Sequence, residues 1–134
     1  MDFSYDWFAG LVDGEGSFGI YPAHHILRFT ILLRDADQGS LEMIRDYLGV
    51  GHVHGNSMQA ARDRGVLSRD CCTYQVNGLE CPRIVDALDG RLRTRKRLDF
   101  DIWKQAVRAY TDAPRGQRSA AIEPFKDQLE EVRR

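Results

Sequence analysis

Apolar positions along this chain switch between the 3.6-residue period of a helix and the two-residue period of a strand. The first helical stretch follows Ser4, a residue suited to the N-cap, and it has Phe3 and Phe8 at the positions of a hydrophobic staple. We therefore expect a first helix over about residues 5–14.

The rest of the chain repeats this change of period. Alternation predicts strands around residues 17–21, 27–33, 52–54 and 72–76, and helical spacing predicts helices over about 37–48, 82–89, 98–110 and 119–132. Residues 57–70 are polar and are expected to form a long loop. The order αββαββα, followed by further helix, predicts an α+β fold with four antiparallel strands packed on helices. We expect one domain over residues 1–134, with a core over about 4–111 and a C-terminal helix over about 119–133.

One face of the predicted sheet is polar. Alternate residues of a strand share a face, and the outward positions are Ser17, Gly19, Tyr21, Arg28, Thr30, His52, His54, Asn56, Thr73, Gln75 and Asn77. A curved sheet or ribbon fits the width of the DNA major groove, so we expect these residues to bind DNA. Arg28, Asn56 and Gln75 have side chains able to make two-pronged contacts with guanine or adenine edges.

Two histidines of this face allow another interpretation. His52 and His54 point the same way from one strand, and with Cys71 they provide three potential zinc ligands. A fourth ligand is not evident, and contacts to a DNA groove explain the pair without a metal. The other cysteines, Cys72 and Cys81, complete no Cys-x-x-Cys spacing, so we expect reduced, partly buried thiols.

Charge is unevenly distributed. The 134 residues include 19 Lys and Arg against 20 Asp and Glu, yet residues 91–98 hold five basic residues and no acidic one. Such a run is suited to phosphate contacts, while the acidic remainder predicts weak non-specific affinity and a steep salt dependence. The chain contains no apolar run of about 18 residues and no secretory leader, so we expect a cytoplasmic protein without a membrane partner.

Residues 8–16 read Phe-Ala-Gly-Leu-Val-Asp-Gly-Glu-Gly. On a helix, Gly10 and Gly14 share one stripe with Trp7 and Leu11 beside them. Each glycine costs about 1 kcal/mol relative to alanine, and close approach of another helix backbone explains that cost. Glu15 then lies at the carbonyl end of the helix, where a divalent cation offsets the repulsion of the helix dipole. If the partner is a second copy, two Glu15 carboxylates meet and form an oxygen site suited to Mg²⁺.

This segment resembles the signature of the LAGLIDADG homing endonucleases, whose final positions match Leu11, Asp13, Gly14, Glu15 and Gly16. The resemblance implies the αββαββα endonuclease fold with a saddle-shaped sheet, Mg²⁺-dependent cleavage of DNA and a role in intron homing. It implies that Glu15 is a catalytic metal ligand and that the Gly14 carbonyl is a second ligand. The helix is implied to form the dimer interface through Trp7, Phe8, Gly10, Leu11, Asp13 and Gly14.

The same resemblance implies a catalytic lysine. Relatives place it in a Thr-x-Lys segment before a long helix, which matches Thr94-Arg95-Lys96, and Arg95 is the alternative if the register shifts by one. Arg93, Arg95 and Arg97 are then expected to contact phosphates. The chain departs from the family at Leu33, where many relatives carry a glutamine or lysine that orders solvent. Arg34 is the expected substitute and is placed among the DNA-binding residues.

A single signature implies a homodimer on a long pseudo-palindromic double-stranded DNA site. We expect Mg²⁺ as the cofactor, with Mn²⁺ able to substitute, and no nucleotide cofactor. Two alternatives remain: a DNA-binding regulator or intron RNA maturase that keeps this scaffold without cleavage, and a module that only dimerises. Intein splicing is not supported, because no Cys or Ser opens the chain and no His-Asn pair closes it.

Overall fold

The structure is a computed structural model that describes residues 2–67 and 69–134, and for Asn56 it describes the backbone alone. Within these residues the helices are α1 (Tyr5–Glu15), α2 (Gln38–Leu48), α3 (Gln59–Asp63), α4 (Cys81–Leu88), α5 (Lys96–Asp112) and α6 (Arg118–Arg133). The strands are β1 (Gly16–Tyr21), β2 (Ile26–Arg34), β3 (His52–Asn56) and β4 (Cys71–Asn77). The predicted α+β class and the order αββαββα are confirmed, with α3 added between β3 and β4.

The described strands form a four-stranded antiparallel sheet in the order β1-β2-β4-β3. Directly opposite residues of an antiparallel pair lie on the same face. Phe18 is opposite Phe29, Phe29 is opposite Val76, and Tyr74 is opposite Val53, so one face of the sheet is apolar across all four strands. The other face carries the polar positions.

Aromatic rings join the helices to the apolar face. Phe29, in the central strand β2, has ring centroids of Phe8 (α1), Phe18 (β1), Tyr74 (β4) and Trp103 (α5) within 6.4 Å. All five side chains are completely buried. Helices α1 and α5 dock on the same side of the sheet, and the end of α1 is hydrogen-bonded to the beginning of α5.

The local signals predicted at the beginning of α1 are confirmed. The Ser4 hydroxyl accepts a hydrogen bond from the Trp7 amide at 3.1 Å, and the rings of Phe3 and Phe8 lie 5.7 Å apart. Gly49 ends α2 with a φ of +75°, a left-handed conformation that favours glycine.

Two predicted boundaries are wrong. The polar stretch 57–70 is not all loop, because it contains α3. The Asp70 Oδ1 accepts hydrogen bonds from the Met58 amide at 2.9 Å and from the Arg62 guanidinium at 3.0 Å, and these bonds hold α3 in place. Helix α5 begins at Lys96 rather than at Leu98. Its first turn extends beyond the apolar pattern from which the boundary was predicted.

None of the helices in the described part of the chain combines the length and apolarity needed to cross a lipid bilayer.

Candidate active site

Glu15 is the last residue of α1, and its side chain is exposed. The Gly16 amide donates to the Val12 carbonyl and closes the helix. Carbonyls beyond that point, including the carbonyl of Gly14, have no intrahelical partner. The carboxylate therefore lies at the negative end of the helix dipole, which repels an isolated anion and attracts a cation.

Lys96, the first residue of α5, reaches back to the end of α1. Its ammonium nitrogen donates to the Gly16 carbonyl at 2.7 Å. Because Gly16 follows Glu15, the structure brings the two predicted catalytic residues to one place although they are far apart in sequence. Arg95, the alternative to Lys96, is exposed. The geometry favours Lys96.

The Asp13 carboxylate binds the segment that leads into α5. It accepts hydrogen bonds from the Arg93 amide at 3.0 and 3.2 Å, from the Thr94 amide at 3.0 Å and from the Thr94 hydroxyl at 2.8 Å. The Thr94 hydroxyl in turn accepts from the Lys96 amide at 3.2 Å. Asp13, which the sequence assigned to a subunit interface, thus has its carboxylate bonded inside the subunit.

These bonds shift the ionisation of Asp13. Partial burial acts to raise the pKa of the Asp13 carboxyl, but the hydrogen bonds from Thr94 and Arg93, together with the positive charge of Arg93, outweigh burial. The pKa therefore lies below its ordinary value of 3.8, and the group is a carboxylate at neutral pH.

Glu15 borders an open depression of about 510 Å³. Its lining residues are Glu15, Leu32, Leu33, Arg34, Asp37 and Cys71. Leu33 is half-buried and lies opposite Cys72 in the register, on the apolar face, whereas Arg34 is exposed. Arg34 is therefore the basic side chain that shares this depression with Glu15, as expected for a substitute at a position where Leu33 cannot bind solvent.

The outward positions of the sheet do share one face. Thr30 is opposite both Ser17 and Gln75, and Gln75 is opposite His52. The same register adds Ile26, Leu32 and Cys71 to the predicted outward positions, and it places Arg34 on this face as well. None of these outward positions is an Asp or a Glu in the sequence. The side chain of Asn56 lies outside the described residues, so its predicted contact stays a prediction.

Arg28 is held in place on this face. Its Nε donates to the Asn77 side-chain oxygen at 3.0 Å, and its guanidinium carbon lies 5.8 Å from the ring centroid of Tyr21. A Cβ on Gly19 would be 2.5 Å from the Tyr21 ring, so the ring covers this buried glycine. The predicted DNA contact of Gly19 stays a prediction. Thr73 lies on the face but is only 8% exposed, which leaves it little contact surface.

The histidine pair is stacked. The ring centroids of His52 and His54 are 5.3 Å apart, with an angle of 29° between the planes. Cys71 lies opposite Asn56, and the residue opposite His54 is Thr73. In residues 2–67 and 69–134 no group of three His, Cys, Asp or Glu side chains is placed to hold a metal. The zinc interpretation therefore gains no support.

The outward stripe of α1 has little side-chain bulk at its centre. Gly10 and Gly14 are exposed, and a Cβ built on either one has no other atom within 4 Å. Trp7 and Leu11 beside them are half-buried. Packing inside the subunit therefore does not require either glycine. Phe8, in contrast, is completely buried in the core, so its assignment to a dimer interface is wrong.

The basic run borders the same end of α1. Arg93, Arg95 and Arg97 all have exposed side chains, while the backbone of Arg93 is bonded to Asp13. Positive charge is therefore placed next to Glu15, although the chain as a whole carries a formal charge of −1.

Comparisons with known proteins agree with this arrangement. A family model described as LAGLIDADG endonuclease matches residues 8–107. The chain is 30% identical over 112 residues to a curated protein of Neurospora crassa, "Probable intron-encoded endonuclease 3"; the match covers 75% of this chain and 19% of that protein. This chain thus corresponds to a small part of that relative.

Solved structures with the same fold include the homing endonuclease I-TnaI, with a TM-score of 0.71 and 21% identity over 99% of this chain and 95% of that chain. They also include the LAGLIDADG meganuclease I-CpaMI bound to uncleaved DNA, with a TM-score of 0.69 and 20% identity over 98% of this chain and 43% of that chain.

Proposed function

The chain belongs to the LAGLIDADG endonuclease family, and from this membership we propose that it is a site-specific DNA endonuclease that hydrolyses phosphodiester bonds with a divalent metal. The observation that carries the proposal is the meeting of Glu15 and Lys96 at the glycine-lined end of α1. A carboxylate and an ammonium group at an exposed site provide a metal ligand and a cation for a phosphate.

The residues at this end fit Mg²⁺. Glu15 contributes an exposed carboxylate and Gly14 a helix-terminal carbonyl, and both are the hard oxygen ligands that Mg²⁺ prefers. One copy supplies a single Glu15, so a second copy is needed to complete a site with two carboxylates. When bound, Mg²⁺ supplies an activated water and neutralises charge on the phosphate. Mn²⁺, which accepts the same oxygen ligands, is proposed to substitute.

The chain's own side chains provide the remaining chemistry. Lys96 faces the negative charge that increases on the scissile phosphate in the transition state, where a positioned cation is most effective. Arg34 shares the depression with Glu15 and is placed to orient a phosphate oxygen or water. Arg93, Arg95 and Arg97 hold the neighbouring phosphates.

Recognition of the site is assigned to the polar face of the sheet. This face carries Arg28 and Gln75 and has no carboxylate among its outward strand positions, so it is suited to the negative DNA groove. The Asn77 bond takes one donor of Arg28, and the two terminal nitrogens remain for a base edge. Phosphate contacts by the basic run then set the register on the duplex.

Two copies are proposed to act together through α1. Exposed glycines that nothing in the subunit requires allow a second α1 to approach closely, with Trp7 and Leu11 at the sides. A two-fold axis at this crossing brings the two Glu15 residues together and predicts a pseudo-palindromic double-stranded target.

Leu33 favours a second candidate function. A leucine on the apolar face orders no solvent, which is the feature expected of a DNA-binding regulator or RNA maturase that has lost cleavage. The presence of Glu15, Lys96 and Arg34 at one site favours cleavage over this alternative.

The test begins with sites selected by cleavage from a randomised palindromic library in Mg²⁺. On a plasmid carrying a selected site, the wild-type chain should cut both strands, and Glu15→Gln should reduce the rate by at least about 100-fold. DNA affinity in Ca²⁺ should remain within about threefold, because glutamine removes only the charge. Specific DNA binding without cleavage by the wild-type chain would establish the regulator instead, and equal cleavage by Glu15→Gln would refute the assigned site.

A further inference from the structure

We propose that Asp13 and Thr94 are positioning residues that hold the Lys96 ammonium group on the Gly16 carbonyl, at the end of α1 that carries Glu15. This inference rests on the proposed function, since it concerns how the catalytic lysine is placed. It assigns to Asp13 a role that differs from the interface contact expected from the sequence.

Asp13 attaches the segment that precedes α5 to α1. Asp13 lies two positions before Glu15, and its carboxylate accepts hydrogen bonds from the Arg93 and Thr94 amides and from the Thr94 hydroxyl at 2.8–3.2 Å. Bonds from several donors to one ionised acceptor are strong and fix its orientation. The segment before α5 is thereby fastened to the helix that carries Glu15.

Thr94 orients the first turn of α5. The Thr94 hydroxyl donates its proton to Asp13 and therefore turns a lone pair toward the Lys96 amide, which donates to it at 3.2 Å. The Thr94 carbonyl also accepts from the Arg97 amide at 3.1 Å. Asp13 thus sets the rotamer of the hydroxyl that accepts from the first amide of α5.

The orientation of this turn limits where the Lys96 side chain can reach. A lysine has a flexible four-carbon stem, so the position of its backbone decides where its ammonium group can reach. Here the ammonium group donates to the Gly16 carbonyl at 2.7 Å. Gly16 is buried and its amide donates to the Val12 carbonyl, so its backbone is anchored to the end of α1. The lysine is therefore held between two fixed points.

A purely structural role for these bonds predicts a different outcome. If Asp13 and Thr94 only stabilise the fold, weakening them lowers the melting temperature and leaves the folded enzyme's chemistry unchanged. If they position Lys96, the folded variant loses chemical rate while it still binds DNA. The two roles separate in the ratio of cleavage rate to DNA affinity.

Thr94→Val removes the hydroxyl with little change of shape, and Thr94→Ser retains it. In single-turnover cleavage of a selected site at saturating protein, Thr94→Val should be about 10- to 100-fold slower than wild type. Its DNA affinity in Ca²⁺ should remain within about twofold, and Thr94→Ser should cleave within about threefold of wild type. All assays are run well below each variant's melting temperature.

Lys104→Met is a matched control for stability. Lys104 lies on the same helix and forms an ion pair of 2.8 Å with Asp89, far from the Lys96 end. This variant should melt at a lower temperature, yet cleave at the wild-type rate. A loss of cleavage equal to that of Thr94→Val would overturn the proposal.

A second readout needs neither DNA nor metal. The rate at which an amine-acylating reagent modifies Lys96 in the free protein, followed by mass spectrometry, reports how firmly its ammonium group is held. Thr94→Val should raise this rate severalfold, and Thr94→Ser and Lys104→Met should not. A wild-type rate in Thr94→Val overturns the proposal. If the wild-type chain fails to cleave DNA while Thr94→Val still frees Lys96, the positioning role stands and the proposed function fails.

Discussion

The three cysteines occupy very different surroundings. Cys71 is half-buried on the polar face, while Cys72 and Cys81 are completely buried. Burial raises the pKa of Cys72, and it raises the pKa of Cys81 to about 12. The Cys81 thiol also points toward the Leu27 and Val76 carbonyls at 3.8 Å.

Alkylation should follow this order of burial. The thiolate is the reactive form, and a raised pKa lowers its population at pH 8. Iodoacetamide should therefore modify Cys71 first, and Cys72 and Cys81 only when denaturant is added, as measured by peptide mass spectrometry. Modification of Cys81 in the native protein as fast as Cys71 would contradict the described core.

The catalytic candidates could be predicted from the sequence, whereas the hydrogen bonds that hold them in place could not. Glu15 and Lys96 stand in recognisable local motifs. The bonds of Asp13 join residues that lie 80 positions apart, and a pattern in one segment does not report such a contact. Phe8 was misplaced for a related reason: helical spacing gave the faces of α1, but only the packing against Phe29 shows that Phe8 belongs to the core.

At the scale of the elements, the Asp70 carboxylate joins the end of the segment between β3 and β4 to its beginning. The Met58 amide and the Arg62 guanidinium bind Asp70, and these hydrogen bonds lower the pKa of its carboxyl from the ordinary value of 3.8. A lowered pKa in the folded state means that ionised Asp70 stabilises this segment above about pH 4.

This stabilisation should disappear as the pH falls through the lowered pKa of Asp70. In an NMR titration, the Met58 amide shifts should be constant above about pH 4 and should change with a midpoint below 3.8. Asp70→Asn lacks the ionising group and should show no such transition. A midpoint above 3.8 in the wild type would reverse the sign of the argument.

Long periodic elements were predicted within a few residues of their bounds. Burial of one face requires apolar residues at a regular spacing, and this spacing is visible in the strands and in the helices α1, α2, α4 and α6. Helix α3, with the sequence Gln-Ala-Ala-Arg-Asp over Gln59–Asp63, is too short and polar to show a period. It forms beside the tertiary contacts of Asp70, and these are absent from any local pattern.

At the scale of the whole molecule, charge distribution matters more than net charge. The chain has 19 basic and 20 acidic residues, yet the outward strand positions contain no acidic residue and the basic run borders the end of α1 that carries Glu15. Composition alone argues against nucleic acid. The folded arrangement supports it, because the sheet places residues from four separate segments on one face.

The proposed metal site requires a second copy that packs on the glycine stripe of α1. Gly10→Leu fits the isolated subunit, since a Cβ there meets no atom within 4 Å, and it should stabilise α1 by about 0.5–1 kcal/mol through helix propensity. The leucine also prevents two helices from approaching closely. Gly39→Leu, at an equally open and exposed glycine of α2, is the control.

Sedimentation velocity of these variants with a selected palindromic DNA site is the most direct test of this pairing. We predict two copies per site for the wild type and Gly39→Leu, and at most one copy for Gly10→Leu, although Gly10→Leu remains folded. Two copies of folded Gly10→Leu on the DNA, with wild-type affinity, would contradict the account.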